Sequence, residues 1–271
     1  MCSSDLESDR GGKPRFQAIN FHDLKPEPLA WRVKGVLPST GVGFIGGPTK
    51  AGKSFLALDM GLRLAAGAPK VLNRRARPCG VVYIAAEDPK GCEYRIKAWE
   101  RRHHRQTPMP FDLIPQPVNL LDDSQVMDLR RTLRACGQRF EAQGQSLGLI
   151  VLDTLSRCLS GADENSSADM GRAFAVLADL SRAMGALVLV VAHFGKSGQE
   201  RGIRGHSSLD ANSEATISVE RSSDDPDLRI VTLAKVKNGV DGGQLAFRLE
   251  EVGLGLTDED GEEIVSCVPI F

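Results

Sequence analysis

The chain has 271 residues, of which 41% are hydrophobic, enough to form the buried core of one large α/β domain or two small ones. Its 34 Lys and Arg residues nearly balance its 35 Asp and Glu residues, so it is not a globally basic protein that binds nucleic acid through bulk charge. No apolar run approaches the roughly 20 residues that a membrane-spanning helix requires, so no membrane contact is expected.

The first part of the chain carries no strong structural pattern. Residues 1–18 lack hydrophobic periodicity and are expected to be disordered, which leaves residues 19–271 as a single domain. The polar, charged N-terminus does not fit a signal peptide, and the six scattered cysteines include no C-x-x-C pair. These features favour reduced thiols in the cytoplasm over a disulfide framework or a metal cluster. Residues 26–41, punctuated by prolines, are expected to lie across the domain edge.

Residues 47–54, GPTKAGKS, fit the nucleotide-binding pattern G-x-x-x-x-G-K-[ST]. An apolar, β-like run precedes them and a helical pattern follows, which is the context that such a loop requires. The backbone N–H groups of the loop are expected to wrap a phosphate at the helix N-terminus. Lys53 is expected to reach the β- and γ-phosphates of a nucleoside triphosphate, and the Ser54 hydroxyl to ligate Mg²⁺. The predicted nucleotide-binding residues are Gly47, Pro48, Thr49, Lys50, Ala51, Gly52, Lys53, Ser54 and Phe55.

Apolar strands alternate with helical patterns through the next part of the chain. Continuous apolar runs, typical of a sheet covered on both faces, predict strands at residues 80–86, 147–153 and 186–193. Periodic patterns predict helices after the first of these strands and at residues 124–143 and 168–185. From residue 215 the pattern changes to strands and turns, which predicts an antiparallel meander. The predicted fold is therefore α/β, with a mostly parallel, helix-covered sheet and a C-terminal antiparallel extension.

Three polar residues stand at the carboxyl ends of predicted strands. Asp153 is expected to hold the water shell of Mg²⁺, although it also fits a helix-capping residue. Glu87 is expected to polarise the water that attacks the γ-phosphate, although it also fits a solvated loop charge. His193 is a candidate γ-phosphate sensor, or else a structural histidine. Asp88, followed by Pro89, is expected to cap the next helix.

The order of the motifs resembles a known family. The strings are GPTKAGKS, AAED, IVLDT, VVAHFGK, RGIRGHSSLDANSEATI and LAKVKNGVDG. In this order they resemble the RecA-like ATPases of the RepA and DnaB type, the hexameric replicative helicases, and are most similar to the RepA-like branch. The resemblance covers roughly residues 28–250. It implies a RecA-like P-loop NTPase core in which the His193 strand lies between the phosphate-loop strand and the Asp153 strand.

The resemblance also implies roles for individual residues. Glu87 would be the catalytic base, Asp153 would lie at Mg²⁺, and His193 would switch between ATP and DNA contacts. A neighbouring subunit would supply two cations, an arginine finger matched by Arg204 and a second cation matched by Lys235 or Lys237. The DnaB pattern has Lys-x-Arg where this chain has Lys-x-Lys, and lysine does not make the planar bidentate contact of arginine. A solvated basic loop is the alternative for all three.

The resulting prediction is an ATP-hydrolysing ring motor, a hexamer that acts on single-stranded DNA as a replicative helicase of RepA type. ATP and Mg²⁺ are the expected cofactors, and a primase or another replication protein is a further expected partner. Residues 194–202 suit a mobile loop that contacts DNA, whereas residues 161–169 are acidic and would repel phosphate. Two alternatives remain open: a DNA-dependent ATPase that acts as a loader or repair accessory without unwinding, and a nucleotide-switched regulatory protein that binds a protein partner.

Overall fold

The structure is a computed structural model that describes residues 18–105, 107–161, 166–193 and 212–271. Its helices in these ranges are α1 (Lys53–Ala65), α2 (Pro89–Arg102), α3 (Asp123–Glu141) and α4 (Ser167–Met184), with short 3-10 turns at Phe21–Asp23 and Leu155–Cys158. Its strands are β1 (Trp31–Val33), β2 (Leu37–Pro38), β3 (Gly41–Gly46), β4 (Lys70–Val71), β5 (Arg74–Arg75), β6 (Gly80–Ala85), β7 (Phe111–Ile114), β8 (Leu147–Asp153), β9 (Leu187–Val191), β10 (Ala215–Arg221), β11 (Arg229–Val236), β12 (Gln244–Thr257) and β13 (Glu263–Ile270). Among the described helices, none combines the length and the apolar character that a membrane crossing needs.

Nine strands form the main sheet, in the order β13-β12-β11-β10-β3-β9-β8-β6-β7. The six strands from β10 to β7 are parallel to their neighbours, and β11, β12 and β13 add antiparallel pairs beyond β10. The predicted parallel sheet with an antiparallel C-terminal extension is therefore confirmed. Strand β9 lies between β3 and β8, as the resemblance to RecA-like ATPases implied.

The central strands are apolar along their whole length because helices cover both faces of the sheet. Successive residues point to opposite faces, so Val81 and Tyr83 pack with α1 and α2, whereas Val82 and Ile84 pack with α3 and α4. Every residue of β8 is buried. These two apolar layers fix the sheet between the helices and hold the strand ends in place.

The predicted helices match their sequence signals closely. Helix α3 buries a single apolar stripe and caps its first turn with the side chain of Asp122. Helix α2 begins as expected: the Asp88 side chain accepts a hydrogen bond from the Gly91 N–H, and Pro89 occupies the first turn. Capping thus directs Asp88 into the start of α2. The stripe of α3 consists of Val126, Leu129, Leu133, Cys136 and Phe140.

Three features were not predicted. Residues 26–41 include the β1–β2 hairpin, and the connector after α1 includes the β4–β5 hairpin; their two- and three-residue strands are too short to show an alternating pattern. Strand β13 is the third, and it packs with β12 against α2. Arg101 donates to the Leu254 carbonyl at 3.2 Å, and Arg102 pairs with Glu250 at 2.7 Å. The extension therefore folds over the helices and does not merely lengthen the sheet.

Candidate functional site

Four neighbouring parallel strands end at the same edge of the sheet and deliver the predicted site residues there. The phosphate loop follows β3, His193 follows β9, Asp153 ends β8, and Glu87 follows β6. Because carboxyl ends of parallel strands share one edge, these groups line a single crevice of about 360 Å³. This is the usual location of a ligand in an open α/β sheet.

The phosphate loop owes its shape to two glycines. Gly47 has a φ of 149°, and a Cβ atom on it would lie 2.0 Å from the Val219 carbonyl oxygen. Gly52 has a φ of 101° and immediately precedes α1. Both positions disfavour any residue with a side chain, so the loop is specified by its sequence. Its N–H groups gather at the N-terminus of a 13-residue helix, which favours an anion.

Lys53 lies almost fully inside the crevice, with 5% of its surface exposed. Its Nζ donates a hydrogen bond to the Pro48 carbonyl at 2.8 Å and lies 3.3 Å from Nδ1 of His193. Burial lowers its pKa to about 8, and the attraction of Asp153 and Glu87 opposes that shift. Thr49 Oγ1 also approaches His193 Nδ1, at 3.5 Å. The histidine therefore touches both the loop and its lysine.

Asp153 is held by two hydroxyl groups, one on each carboxylate oxygen. Ser54 Oγ donates to Oδ1 at 3.1 Å, and Tyr83 OH donates to Oδ2 at 2.6 Å. Burial raises the pKa of Asp153, and the hydrogen bonds from Tyr83 and Ser54 oppose that shift. Tyr83 itself is 1% exposed, and burial raises its pKa well above the ordinary value, so it stays a hydrogen-bond donor. The sequence analysis missed Tyr83, because only the pairing of β6 with β8 reveals its partner.

The oxygen atoms of Ser54 and Asp153 are suited to Mg²⁺. Within the described residues no cluster of three or more His, Cys, Asp or Glu side chains could hold a metal. Mg²⁺ needs no such cluster, since it retains water ligands and takes one or two protein oxygens together with substrate phosphates. A serine hydroxyl beside one fixed carboxylate, at the end of a phosphate loop, fits that requirement.

Glu87 is tied to the residue that follows Asp153. Thr154 Oγ1 donates to Glu87 Oε2 at 2.8 Å, and the backbone N–H of Glu87 donates to the Asp153 carbonyl at 3.2 Å. Thr154 is buried, whereas Glu87 is exposed to the crevice. Its position next to Asp153 was the only sequence signal for Thr154. Asp88, by contrast, bonds to the start of α2 and pairs with Arg95 at 2.8 Å.

The residues expected to act on a neighbouring subunit do not contribute to this crevice. Lys237 pairs with Glu214 at 2.9 Å, and Lys235 lies on β11 opposite Thr216. Arg204 lies outside the described residues, as do residues 194–202 and part of 161–169. The N-terminal tail lies outside them too, apart from residue 18.

Three arginines and one leucine that sequence reasoning missed complete the crevice. Arg95 lies over the Phe55 ring, with its guanidinium carbon 4.8 Å from the ring centroid. Arg221 donates from Nε to the Lys50 carbonyl at 3.2 Å. Arg229 and Leu249 line the same space from β11 and β12. The C-terminal extension thus forms part of the wall around the phosphate loop, although it lies about 170 residues away in sequence.

Comparison with known proteins gives a family and a fold. Residues 9–199 match the AAA_25 family model, described as an AAA domain. The solved structure of a helicase ATPase domain aligns with a TM-score of 0.55 at 13% identity, over 78% of this chain and 81% of that one. The RadB recombinase aligns with a TM-score of 0.51 at 21% identity, over 80% of this chain and 89% of that one. No curated protein gives a significant match. At these identities the likeness shows the fold, which is that of the RecA-like P-loop ATPases.

Proposed function

The chain belongs to the AAA_25 family of AAA domains, and from that premise we propose that it is an ATP-hydrolysing motor that works as a ring on single-stranded DNA. The finer proposal is a replicative helicase of RepA type, with residues 19–271 acting as one ATPase domain. One observation carries the proposal: Lys53, Ser54, Glu87, Asp153 and His193 converge on one crevice from four adjacent parallel strands. Binding alone needs the loop and lysine, whereas the further acids and the histidine suit hydrolysis and its control.

Each group has a role that its contacts support. The N–H groups of residues 47–55 bind the phosphates of ATP, and Lys53 exchanges its bond to the Pro48 carbonyl for β- and γ-phosphate oxygens. Ser54 and Asp153 hold Mg²⁺, which neutralises charge on the phosphates when it is bound. Tyr83 keeps the Asp153 carboxylate oriented toward Ser54.

Glu87 acts on the attacking water. Its carboxylate is exposed to the crevice, and the Thr154 hydroxyl holds one of its oxygens at 2.8 Å. The other oxygen can then accept the proton of a water placed in line with the γ-phosphate. In the assembled ring, a neighbour supplies Arg204 and either Lys235 or Lys237 to stabilise charge on the transferred group. Lys237 would have to leave Glu214 to do so.

His193 links the nucleotide to the DNA. Its Nδ1 lies 3.3 Å from the Lys53 Nζ atom and 3.5 Å from Thr49 Oγ1, and residues 194–202 follow it directly. A bound γ-phosphate competes for the same donors and so changes the bonds of the histidine. That change alters the start of the loop that carries Lys196 and Arg201, the proposed contact to the DNA backbone. A primase is proposed as a further partner of the ring.

The proposal is tested by three measurements on one preparation. ATPase activity should rise on addition of oligo-dT, a labelled strand should be displaced from a forked duplex, and negative-stain images with an ATP analogue and DNA should show rings. DNA-stimulated hydrolysis without strand displacement would reduce the protein to a DNA-dependent ATPase. Hydrolysis that ignores DNA would refute the assignment of DNA as its track.

A further inference from the structure

Arg229 is a buried cation with an incomplete set of partners. It opens strand β11, and 8% of its surface is exposed. Its Nη1 donates to the Asp227 carbonyl, and its buried Nε has no hydrogen-bond partner within the described part of the chain. Among the described ion pairs, none joins Arg229 to a carboxylate. A charge removed from water in this way is unfavourable unless something else compensates for it.

The other buried charges of the described chain show the contrast. Asp59 accepts hydrogen bonds from Arg63 at 2.7 Å and from Trp99 at 3.0 Å. Asp153 accepts from two hydroxyl groups, and Lys53 is attracted to Asp153. Arg229 has only a neutral carbonyl as its recorded acceptor. Its position is therefore explained better by a ligand than by the protein alone.

The location of Arg229 indicates which ligand this is. The side chain lines the crevice together with Gly52, Lys53, Ser54 and Phe55. A Cβ atom built on Gly52 would lie 3.5 Å from Arg229 Cγ and 3.1 Å from the Phe247 ring. The aliphatic stem thus packs on the residue that precedes α1, where the loop N–H groups face an anion. The guanidinium extends beyond that stem, along the wall of the phosphate site.

We propose that Arg229 is a phosphate-binding residue that the C-terminal strands supply in cis to the nucleotide held by residues 47–54. Its guanidinium donates to a phosphate oxygen, and the fork geometry allows two parallel hydrogen bonds. This inference rests on the proposed nucleotide binding and adds to it. Nucleotide binding then joins α1 to β11, so that the antiparallel extension senses whether the site is filled.

Isothermal titration of ATP, ADP and inorganic tripolyphosphate into the wild-type and variant proteins tests the proposal. Arg229→Met should weaken all three ligands by about 10- to 100-fold, the range for a lost charge-assisted hydrogen bond. Arg229→Lys keeps the charge without the fork and should lose less. The control is Arg248→Met on β12, which removes an exposed arginine that pairs with Asp225 away from the crevice; its affinities should match wild type.

A thermal melt without nucleotide separates a ligand role from a structural one. Arg229→Met should melt at or above the wild-type temperature, because it removes a buried charge that lacks a carboxylate. A melting temperature well below wild type, or unchanged ligand affinities, would overturn the inference. Loss of ATP affinity without loss of tripolyphosphate affinity would also overturn it, since the contact would then not be to phosphate. A wild-type protein that binds none of the three ligands would instead refute the proposed nucleotide binding, and this inference with it.

Discussion

Tyr83→Phe removes a single hydroxyl group from beneath the proposed magnesium ligand. That hydroxyl donates to Asp153 Oδ2 at 2.6 Å, and both side chains are buried. A hydrogen bond to a charged group contributes about 1.5–3 kcal/mol, and burial hinders its replacement by a bond to solvent. We therefore expect the free energy of unfolding to fall by about 1.5–3 kcal/mol, which for a chain of this size lowers Tm by about 3–12 °C.

The same change should raise the Mg²⁺ concentration needed for half-maximal ATP hydrolysis, because Asp153 loses one of the two hydroxyl groups that orient it. Chemical denaturation measures the stability, and a Mg²⁺ titration at saturating ATP measures the second effect. The chain has only one other tyrosine, Tyr94 on α2, which is only partly buried. Tyr94→Phe is therefore a matched control, expected to change stability by less than about 0.5 kcal/mol. Equal stabilities for the two variants, or an unchanged Mg²⁺ requirement in Tyr83→Phe, would show that the hydroxyl does not position the carboxylate.

Three further predictions concern turnover and assembly. Glu87→Gln should bind ATP like wild type but hydrolyse it about 10²–10⁴-fold more slowly, whereas Lys53→Ala should lose binding as well; a Gln variant near the wild-type rate would falsify the assignment of the base. Affinity for oligo-dT, followed by fluorescence anisotropy, should fall steeply with rising salt and depend little on sequence; tight binding that survives high salt would contradict a contact made mainly through backbone charge. Lys53→Ala and Arg204→Ala should each be nearly inactive, and mixing them before assembly should restore ATPase activity with a peak near equal ratios, because some interfaces then pair an intact loop with an intact arginine. An active Arg204→Ala variant, or efficient hydrolysis by a monomer, would exclude completion of the site by a neighbour.

Local features of this protein could be predicted from its sequence because their causes are local. The phosphate loop depends on glycines at positions 47 and 52, whose backbone angles exclude other residues. The face of α3 follows from apolar residues three and four positions apart. The runs that became β6, β8 and β9 are apolar throughout because both faces of the sheet are covered. Polar residues that end such runs must lie at one edge, which identified Glu87, Asp153 and His193 as candidates.

Only the tertiary structure decided which side chains meet across that edge. The bond from Tyr83 to Asp153 requires β6 to pair with β8 in one register, and a shift by one residue would turn the tyrosine to the opposite face. The approach of Arg229 to Gly52 requires the chain after β10 to fold back over the loop, and no residue near Arg229 indicates this. Periodicity records how a segment meets water and core, whereas strand order and register arise from the packing of distant segments. The phosphate loop was therefore evident in the sequence, and the residues that surround it became evident only in the fold.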